Sequence, residues 1–199
     1  MRETISRLAG AAILLALASG MPAAGAPGSV KDLLLLIPEK YLGLEGTTLS
    51  AAERLAMIEI DDTAHGWLRL AGRGAHAFEG WIELALFRKG PAGAMLGVAV
   101  NQCGPLCEQR LTFLQYAGGE WLDLTAAVFQ PLPAGRVRQL YRAAFPDGES
   151  AADPPVLYRL PRQGTDLLLV TQEAVAGREV ELARLQLIDG RFRAAPGAD

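Results

Sequence analysis

From Trp67 onward, apolar residues recur with a period of two, which is the period of a β-strand. In the segment 78–88, Ile82 and Leu84 fall on one face, whereas Trp81 and Glu83 fall on the other. The strands predicted in this way cover 67–70, 78–88, 95–102, 111–116, 121–124, 156–160, 166–171 and 180–188. Turns rich in glycine and proline separate them.

Helical patterns occur in shorter parts of the chain. The apolar run 30–37 stops at a proline, and its length is compatible with either a short helix or a buried strand. Ser50 followed by Glu53 is a capping-box pattern, which predicts a helix that begins there and ends near Ile60. Between 134 and 145 the apolar positions have helical spacing, which predicts an amphipathic helix. The predicted fold class is therefore α+β: short N-terminal helices, followed by a largely antiparallel β-sheet of two meanders with one amphipathic helix between them.

The two predicted meanders, 81–124 and 155–193, share a faint pattern at a constant offset that aligns Trp121 with Phe192. A duplication and an independent convergence on similar turns both account for this pattern. In the second copy, residues 173–177 occupy the place of the two cysteines of the first. The meander itself therefore does not require the cysteines.

Residues 1–26 have the pattern of a secretory signal peptide: two early arginines, an apolar run at 8–18 and small residues at 23–26. A retained anchor is the alternative, but this run is shorter than the ~20 apolar residues that a membrane-spanning helix needs. We therefore expect a periplasmic or secreted bacterial protein. Its mature part, 27–199, is expected to be one soluble domain without an integral membrane segment.

The charge and the motifs narrow the function further. The 199-residue chain has a formal net charge of −3 and no basic run, so a nucleic-acid or anionic-membrane partner is not expected. A phosphate-binding glycine loop, a nucleophile elbow and a zinc-protease motif are all missing, so neither a cofactor nor a catalytic residue is predicted. The carboxylates Asp61, Asp62, Glu79 and Glu83 are expected to be solvated residues of a turn and a strand.

The two cysteines lie close together in Cys103-Gly-Pro-Leu-Cys107. If they end the two arms of a hairpin, they face each other, and directly opposed residues of antiparallel strands lie near enough for a disulfide. Export to an oxidising compartment favours this bond. Closing so small a ring is expected to stabilise the fold by about 2 kcal/mol.

Two functional alternatives for the cysteine pair stay open. The segment is similar to the Cys-Gly-Pro-Cys of the thioredoxin family with one residue inserted, which implies thiol–disulfide exchange, but that family places its motif at the start of a helix. Two thiolates could also bind Cu(I) or Zn(II), with His65 and His76 completing the ligand set. Copper-delivery proteins of thioredoxin fold use a downstream histidine that is missing here, and no metal site is predicted.

Trp81 lies on the polar face of its strand and is the best candidate for a binding surface, which Trp67 and Trp121 could extend. The alternative is that a second layer or the helix at 134–145 covers Trp81. The first hypothesis is therefore a non-enzymatic module that binds an unknown protein or small ligand. The second is a periplasmic thiol-redox or copper/zinc-handling protein that uses the cysteine pair.

Three passages together resemble an uncharacterised family of secreted bacterial proteins that is best known from Bacteroidetes. They are Leu36-Ile37-Pro38 with Arg54-x-x-Met57-Ile58, VAVNQCGPLC at 98–107, and Trp121-Leu122-Asp123. The resemblance implies export and helices followed by a sheet over the first two-thirds of the mature chain. It transfers no catalytic residue to this sequence.

Overall fold

The protein is predominantly β, with two antiparallel sheets and short helices. The structure, a computed structural model, describes residues 27–72, 78–90, 93–103, 107–146, 153–172 and 179–195. The six strands of the first sheet follow one another in space as in sequence: β1 (Ile58–Asp62), β2 (Trp67–Leu70), β3 (Gly80–Gly90), β4 (Gly93–Cys103), β5 (Cys107–Ala117) and β6 (Glu120–Asp123).

The second sheet is also a meander. Its four strands are β7 (Val156–Arg159), β8 (Leu167–Gln172), β9 (Glu179–Ile188) and β10 (Arg191–Ala194). The helices are α1 (Val30–Leu36), α2 (Ala51–Ala56), α3 (Thr125–Val128) and α4 (Ala134–Ala144), with 3-10 turns at Glu39–Leu42 and Thr63–His65. Within the described ranges, no helix is long and apolar enough to cross a membrane.

The predicted succession of short helices, antiparallel meander, helix and second meander is confirmed, although the two meanders form separate sheets. The predicted end of the second helix near Ile60 is wrong. Helix α2 ends at Ala56, and β1 pairs antiparallel with β2, from Ile58 opposite Leu70 to Asp62 opposite Trp67. The apolar residues of β1 fit both the helical period and the strand period, and pairing with β2 makes the segment a strand.

The capping residues decide whether the apolar run 30–37 is a helix or a strand. The Ser29 side chain accepts a hydrogen bond from the Asp32 backbone, and Asp32 accepts one from the Ser29 backbone, so the run begins as a helix. The predicted capping box of Ser50 and Glu53 is confirmed at α2. Both helices pack on one face of the first sheet.

Arg54 ties the two helices together. Its guanidinium is buried, and Nη1 donates to the carbonyl oxygens of Leu34 (2.9 Å) and Ile37 (2.5 Å), while Nη2 donates to Glu39 Oε1 (2.7 Å). The arginine thus satisfies carbonyls that the end of α1 leaves without intrahelical partners. Through these bonds, the position of α1 on the sheet depends on α2.

Because side chains alternate along a strand, the first sheet contributes to two cores. One face meets α1 and α2 through Leu68, Ile82, Leu84, Leu96, Val98 and Leu114. The other face meets the second sheet and α4 through a cluster that includes Phe87, Phe113, Leu160, Leu169, Leu185 and Phe192. The first sheet is therefore the central layer of the molecule.

The last hairpins of the two meanders have matching turns. Gly118 and Gly119 join β5 to β6 with φ of 62° and 88°, and Asp189 and Gly190 join β9 to β10 with φ of 49° and 74°. The two-residue type I′ hairpin turn requires positive φ at both central residues. The segments aligned in the sequence therefore have equivalent hairpins, and the duplication itself stays a prediction.

Gly97 lies where the two sheets meet, and residues around it occupy the space that a side chain at this position would need. A Cβ atom there would lie 2.9 Å from Phe87 Cε2, 3.0 Å from Leu160 Cδ2 and 3.3 Å from Phe113 Cε1. Phe192 of the second sheet packs on the same two rings, with centroids 5.6 Å from Phe87 and 4.9 Å from Phe113. Any side chain at this position must displace atoms of both sheets.

We predict that Gly97→Ala lowers the free energy of unfolding by about 1–3 kcal/mol, because the extra methyl group overpacks the contact between the sheets. The matched control is Gly135→Ala, since Gly135 lies exposed in α4 with nothing within 4 Å of its ideal Cβ. That change is expected to raise the free energy of unfolding by about 0.5–1 kcal/mol. Urea unfolding of both variants measures the difference, and equal effects would contradict the packing described.

Candidate functional site

The structure does not bring the three tryptophans together. Trp67 is 4% exposed and faces the second sheet, and its indole nitrogen has no hydrogen-bond partner among the described residues. Trp81 lies on the same face of the first sheet, whereas Trp121 packs with the helices on the opposite side. The predicted surface of Trp67, Trp81 and Trp121 is therefore wrong as one site, because the second sheet lies on the face that carries two of them.

Trp81 is covered by the second sheet, as the alternative prediction had it. The guanidinium carbon of Arg159 lies 4.4 Å from the Trp81 ring centroid, and that of Arg69 lies 4.9 Å from it. The Trp81 indole nitrogen donates to Glu83 Oε1 at 3.0 Å, and Arg159 Nη1 donates to the same oxygen at 2.8 Å. The ring is held by cation–π contacts and by a carboxylate.

Glu83 is buried, with 4% of its surface exposed, which contradicts the expectation of a solvated strand residue. Its second oxygen, Oε2, accepts a hydrogen bond from the Leu160 backbone at 3.1 Å. Burial raises the pKa of this carboxyl, against the opposing effect of Arg159. Glu83 thus joins β3 to the chain that leaves β7.

Gln109 of β5 binds the backbone of β7 in the manner of a neighbouring strand. Its Nε2 donates to the Tyr158 carbonyl oxygen (2.8 Å), and its Oε1 accepts from the Tyr158 N–H (2.7 Å). The same Nε2 also donates to Asn101 Oδ1 at 2.8 Å. We call Glu83, Asn101, Gln109 and Arg159, with the backbone groups of Tyr158 and Leu160 that Gln109 and Glu83 bind, the polar seam.

The other candidate carboxylates have partners as well. Asp61 pairs with Lys31 and Thr63, and the hydrogen bond from Lys31 contributes most to lowering its pKa to about 2. Asp62 Oδ1 lies 2.6 Å from His65 Nδ1, and its other oxygen accepts from Arg162. These contacts make the two aspartates parts of ion pairs within the protein.

Of the two histidines considered as metal ligands, the structure describes one. His65 lies in an exposed turn against Asp62, and His76 lies outside the described residues. Among the described residues, no group of three or more His, Cys, Asp and Glu side chains could hold a metal ion. Cys103 and Cys107 are directly opposed in the register of β4 and β5, at the end of the hairpin.

An apolar cleft lies on the other face of the first sheet, between α1 and the strands β3 to β6. Leu86, Leu96 and Leu114 are direct cross-strand neighbours and form one row of it. Tyr116 and Trp121, the next cross-strand pair, have ring centroids 5.1 Å apart. We call this the aromatic cleft, and its volume is about 250 Å³.

Helix α1 and strand β6 both contribute to the wall of the aromatic cleft. Leu33 of α1 closes it opposite the sheet, and the Trp121 indole nitrogen donates to the Leu36 carbonyl oxygen at 3.1 Å. Leu36, whose carbonyl oxygen accepts this bond, is 46% exposed.

A second pocket, of about 210 Å³, lies beside the cysteine hairpin and is polar. Its only cation among the lining residues, Arg110, donates to Glu45 Oε1 at 2.9 Å and to the Lys40 carbonyl oxygen at 2.6 Å. The hydrogen bond from Arg110 also contributes most to lowering the pKa of Glu45. The positive charge of Arg110 is thus already paired with a carboxylate of the protein.

The sequence predicts neither the polar seam nor the aromatic cleft as a whole, although Trp121, one of the candidate binding residues, lines the cleft. Glu83 and Asn101 each follow an apolar residue in their strands, whereas Gln109 lies between two charged residues. A polar residue in a strand is compatible with a solvated face or with a buried network. Asn101 and Gln109 are also opposed across β4 and β5. That repeated polar position on adjacent strands was the available signal. The leucine row of the aromatic cleft has no such signal in the sequence, because the row depends on the register of the strands.

We predict that the stability difference between the wild-type protein and Glu83→Gln depends on pH. Because the folded pKa of Glu83 lies above its unfolded value, the folded state binds the proton more strongly. This contribution is complete below the unfolded pKa of about 4.5 and is lost as pH rises through the folded pKa. Unfolding free energies measured from about pH 4 to pH 7 should show the wild type losing stability relative to the variant. A relative gain with rising pH would contradict the raised pKa.

The chain matches no family model and no curated protein. Its fold is similar to that of a domain of an uncharacterised protein from Porphyromonas gingivalis W83, with a TM-score of 0.52 and 14% sequence identity. The similarity covers 84% of this chain and 98% of that one. At this identity the likeness concerns the fold alone, and the family resemblance carried by the cysteine block stays a prediction.

Proposed function

We propose that the chain is an exported, non-enzymatic binding module that takes a small, mainly apolar ligand in the aromatic cleft. One observation carries this proposal. The Leu86–Leu96–Leu114 row and the Tyr116–Trp121 pair line an open volume of about 250 Å³, although the opposite face of the same sheet is packed. Concave sites with apolar and aromatic walls and few polar groups are the usual form of small-molecule sites.

The aromatic cleft is better suited to a ligand than the polar pocket is. Arg110 already donates to Glu45 and to a backbone carbonyl, so a polar ligand there would have to replace existing bonds. In the aromatic cleft, a ligand gains from leaving water without breaking a bond between protein groups. Trp121, anchored through its N–H, presents a rigid ring at the rim.

Export is inferred from the signal-peptide pattern of residues 1–26, and the disulfide between Cys103 and Cys107 is part of the same proposal. The register places the two residues opposite each other at the end of β4 and β5, and no free cysteine is found among the described residues. This placement supports a structural bond that closes the hairpin. A thioredoxin-type motif would instead begin a helix.

We predict that the protein recovered from a bacterium that exports the full chain carries this disulfide. Its intact mass should be lower by two hydrogen atoms than that of the reduced form, and the start of the chain should lie near Pro27. The bond should persist in glutathione buffer at about −200 mV and open only with strong reductant. Two thiols that alkylate without reductant would contradict the structural disulfide, and opening at the mild potential would favour the redox hypothesis.

We predict that Ala94→Phe blocks ligand uptake, because Ala94 is exposed and lines the aromatic cleft. The probe is N-phenyl-1-naphthylamine, a neutral apolar dye whose emission rises in apolar sites. We expect the variant to bind it at least about tenfold more weakly, which corresponds to about 1.4 kcal/mol. Ala143→Phe, on the exposed face of α4, is the matched control and should bind as the wild type does.

Fluorescence titration measures both variants, and circular dichroism checks that they fold. Equal binding by the wild type and Ala94→Phe would place the dye elsewhere and contradict the cleft as the site. Absence of dye binding to the wild type would contradict the proposed function itself.

A further inference from the structure

The strand β3 contains a bulge beside the aromatic cleft. Phe87 pairs with Met95, and the next pair is Gly90 with Gly93, so two residues of β3 stand opposite the single residue Ala94. Those two residues are Arg88 and Lys89. A bulge of this kind redirects side chains and is often found next to functional sites.

Ala94 lines the aromatic cleft, and so does Leu86, which lies two positions before Arg88 on the same strand. The bulge therefore brings the two cationic residues beside this end of the cleft, although neither is part of its lining. Both Arg88 and Lys89 are exposed, and neither forms an ion pair with a described residue. Other cations of the same sheet have carboxylate partners: Arg69 pairs with Glu59, and Arg110 pairs with Glu45. Exposed arginines also occur at Arg191 and Arg193 of β10, but the pair at the bulge is the one that stands opposite a lining residue of the aromatic cleft.

We propose that the ligand of the aromatic cleft is an amphipathic anion, an alkyl carboxylate of medium length. Its chain would lie along Leu86, Leu96 and Leu114 against Trp121, and its carboxylate would meet Arg88 and Lys89. This inference rests on the proposed function and adds the chemical class of the ligand. Charge complementarity carries it, because an arginine fork matches a carboxylate and the apolar walls match an alkyl chain.

The size of the aromatic cleft sets the length of the chain. Its volume of about 250 Å³ is below the range of about 300–1,000 Å³ for sites that hold drug-sized ligands. A single alkyl chain of medium length suits this space. We therefore choose decanoate as the probe, with 1-decanol as the neutral molecule of equal chain length.

The test is calorimetric titration of the exported protein with each probe, below micelle-forming concentration and at about pH 7.5, where the carboxylate is ionised. We expect decanoate to bind about tenfold more tightly than decanol at low salt. The double variant Arg88→Gln/Lys89→Gln should weaken decanoate binding about tenfold and leave decanol binding unchanged. Arg191→Gln/Arg193→Gln removes the same charge from exposed positions of β10 and should change neither.

The outcomes separate this inference from the proposed function. If both probes bind equally and the Arg88/Lys89 variant changes neither, the anion preference is overturned and the apolar cleft stands. If neither probe binds the wild type, both are overturned. A loss of decanoate affinity that the β10 variant shares would show a general charge effect and overturn the inference. So would decanoate binding that disappears as the protein dimerises, since a second copy would then occupy the cleft.

Discussion

The arrangement of the layers depends on side chains of the first sheet that complete the edge of β7. Gln109 both donates to and accepts from the Tyr158 backbone, and Glu83 accepts from the Leu160 N–H. An edge strand otherwise exposes unpaired backbone groups, and burying such groups without partners is costly. The polar seam removes this cost at the place where the sheets meet. It fixes the second sheet at one position, since an amide can satisfy a peptide group only in the right register.

This constraint determines which face of the first sheet is packed and which one has an open cleft. The face that carries Trp67 and Trp81 is the contact between the sheets and is closed by Arg159 and by the aromatic cluster around Gly97. The other face is covered by α1 and α2, whose helices are short and are held by Arg54. The aromatic cleft lies on this face, between α1 and the strands β3 to β6. The proposed site is thus on the side of the sheet that carries Trp121, and the side that carries Trp67 and Trp81 is packed.

The sequence predicts the strands and the long helix well because their periods are local properties. It assigns 58–60 to a helix because two isoleucines fit both periods, and only pairing with β2 distinguishes them. It cannot assign Glu83 to the interior, because the partner that compensates its burial, Arg159, is 76 residues away. The aromatic cleft was equally hidden, since its row of leucines exists only once β3, β4 and β5 are in register.

The most direct test of the polar seam is amide hydrogen exchange at Tyr158 and Leu160, resolved by NMR. In an open edge strand, N–H groups that point away from the sheet exchange rapidly. The bonds to Gln109 and Glu83 predict protection comparable to that of central strands of the first sheet, and Gln109→Ala should remove it at Tyr158 while sparing those strands. Rapid exchange at both amides in the wild-type protein would contradict the docking of the second sheet described here.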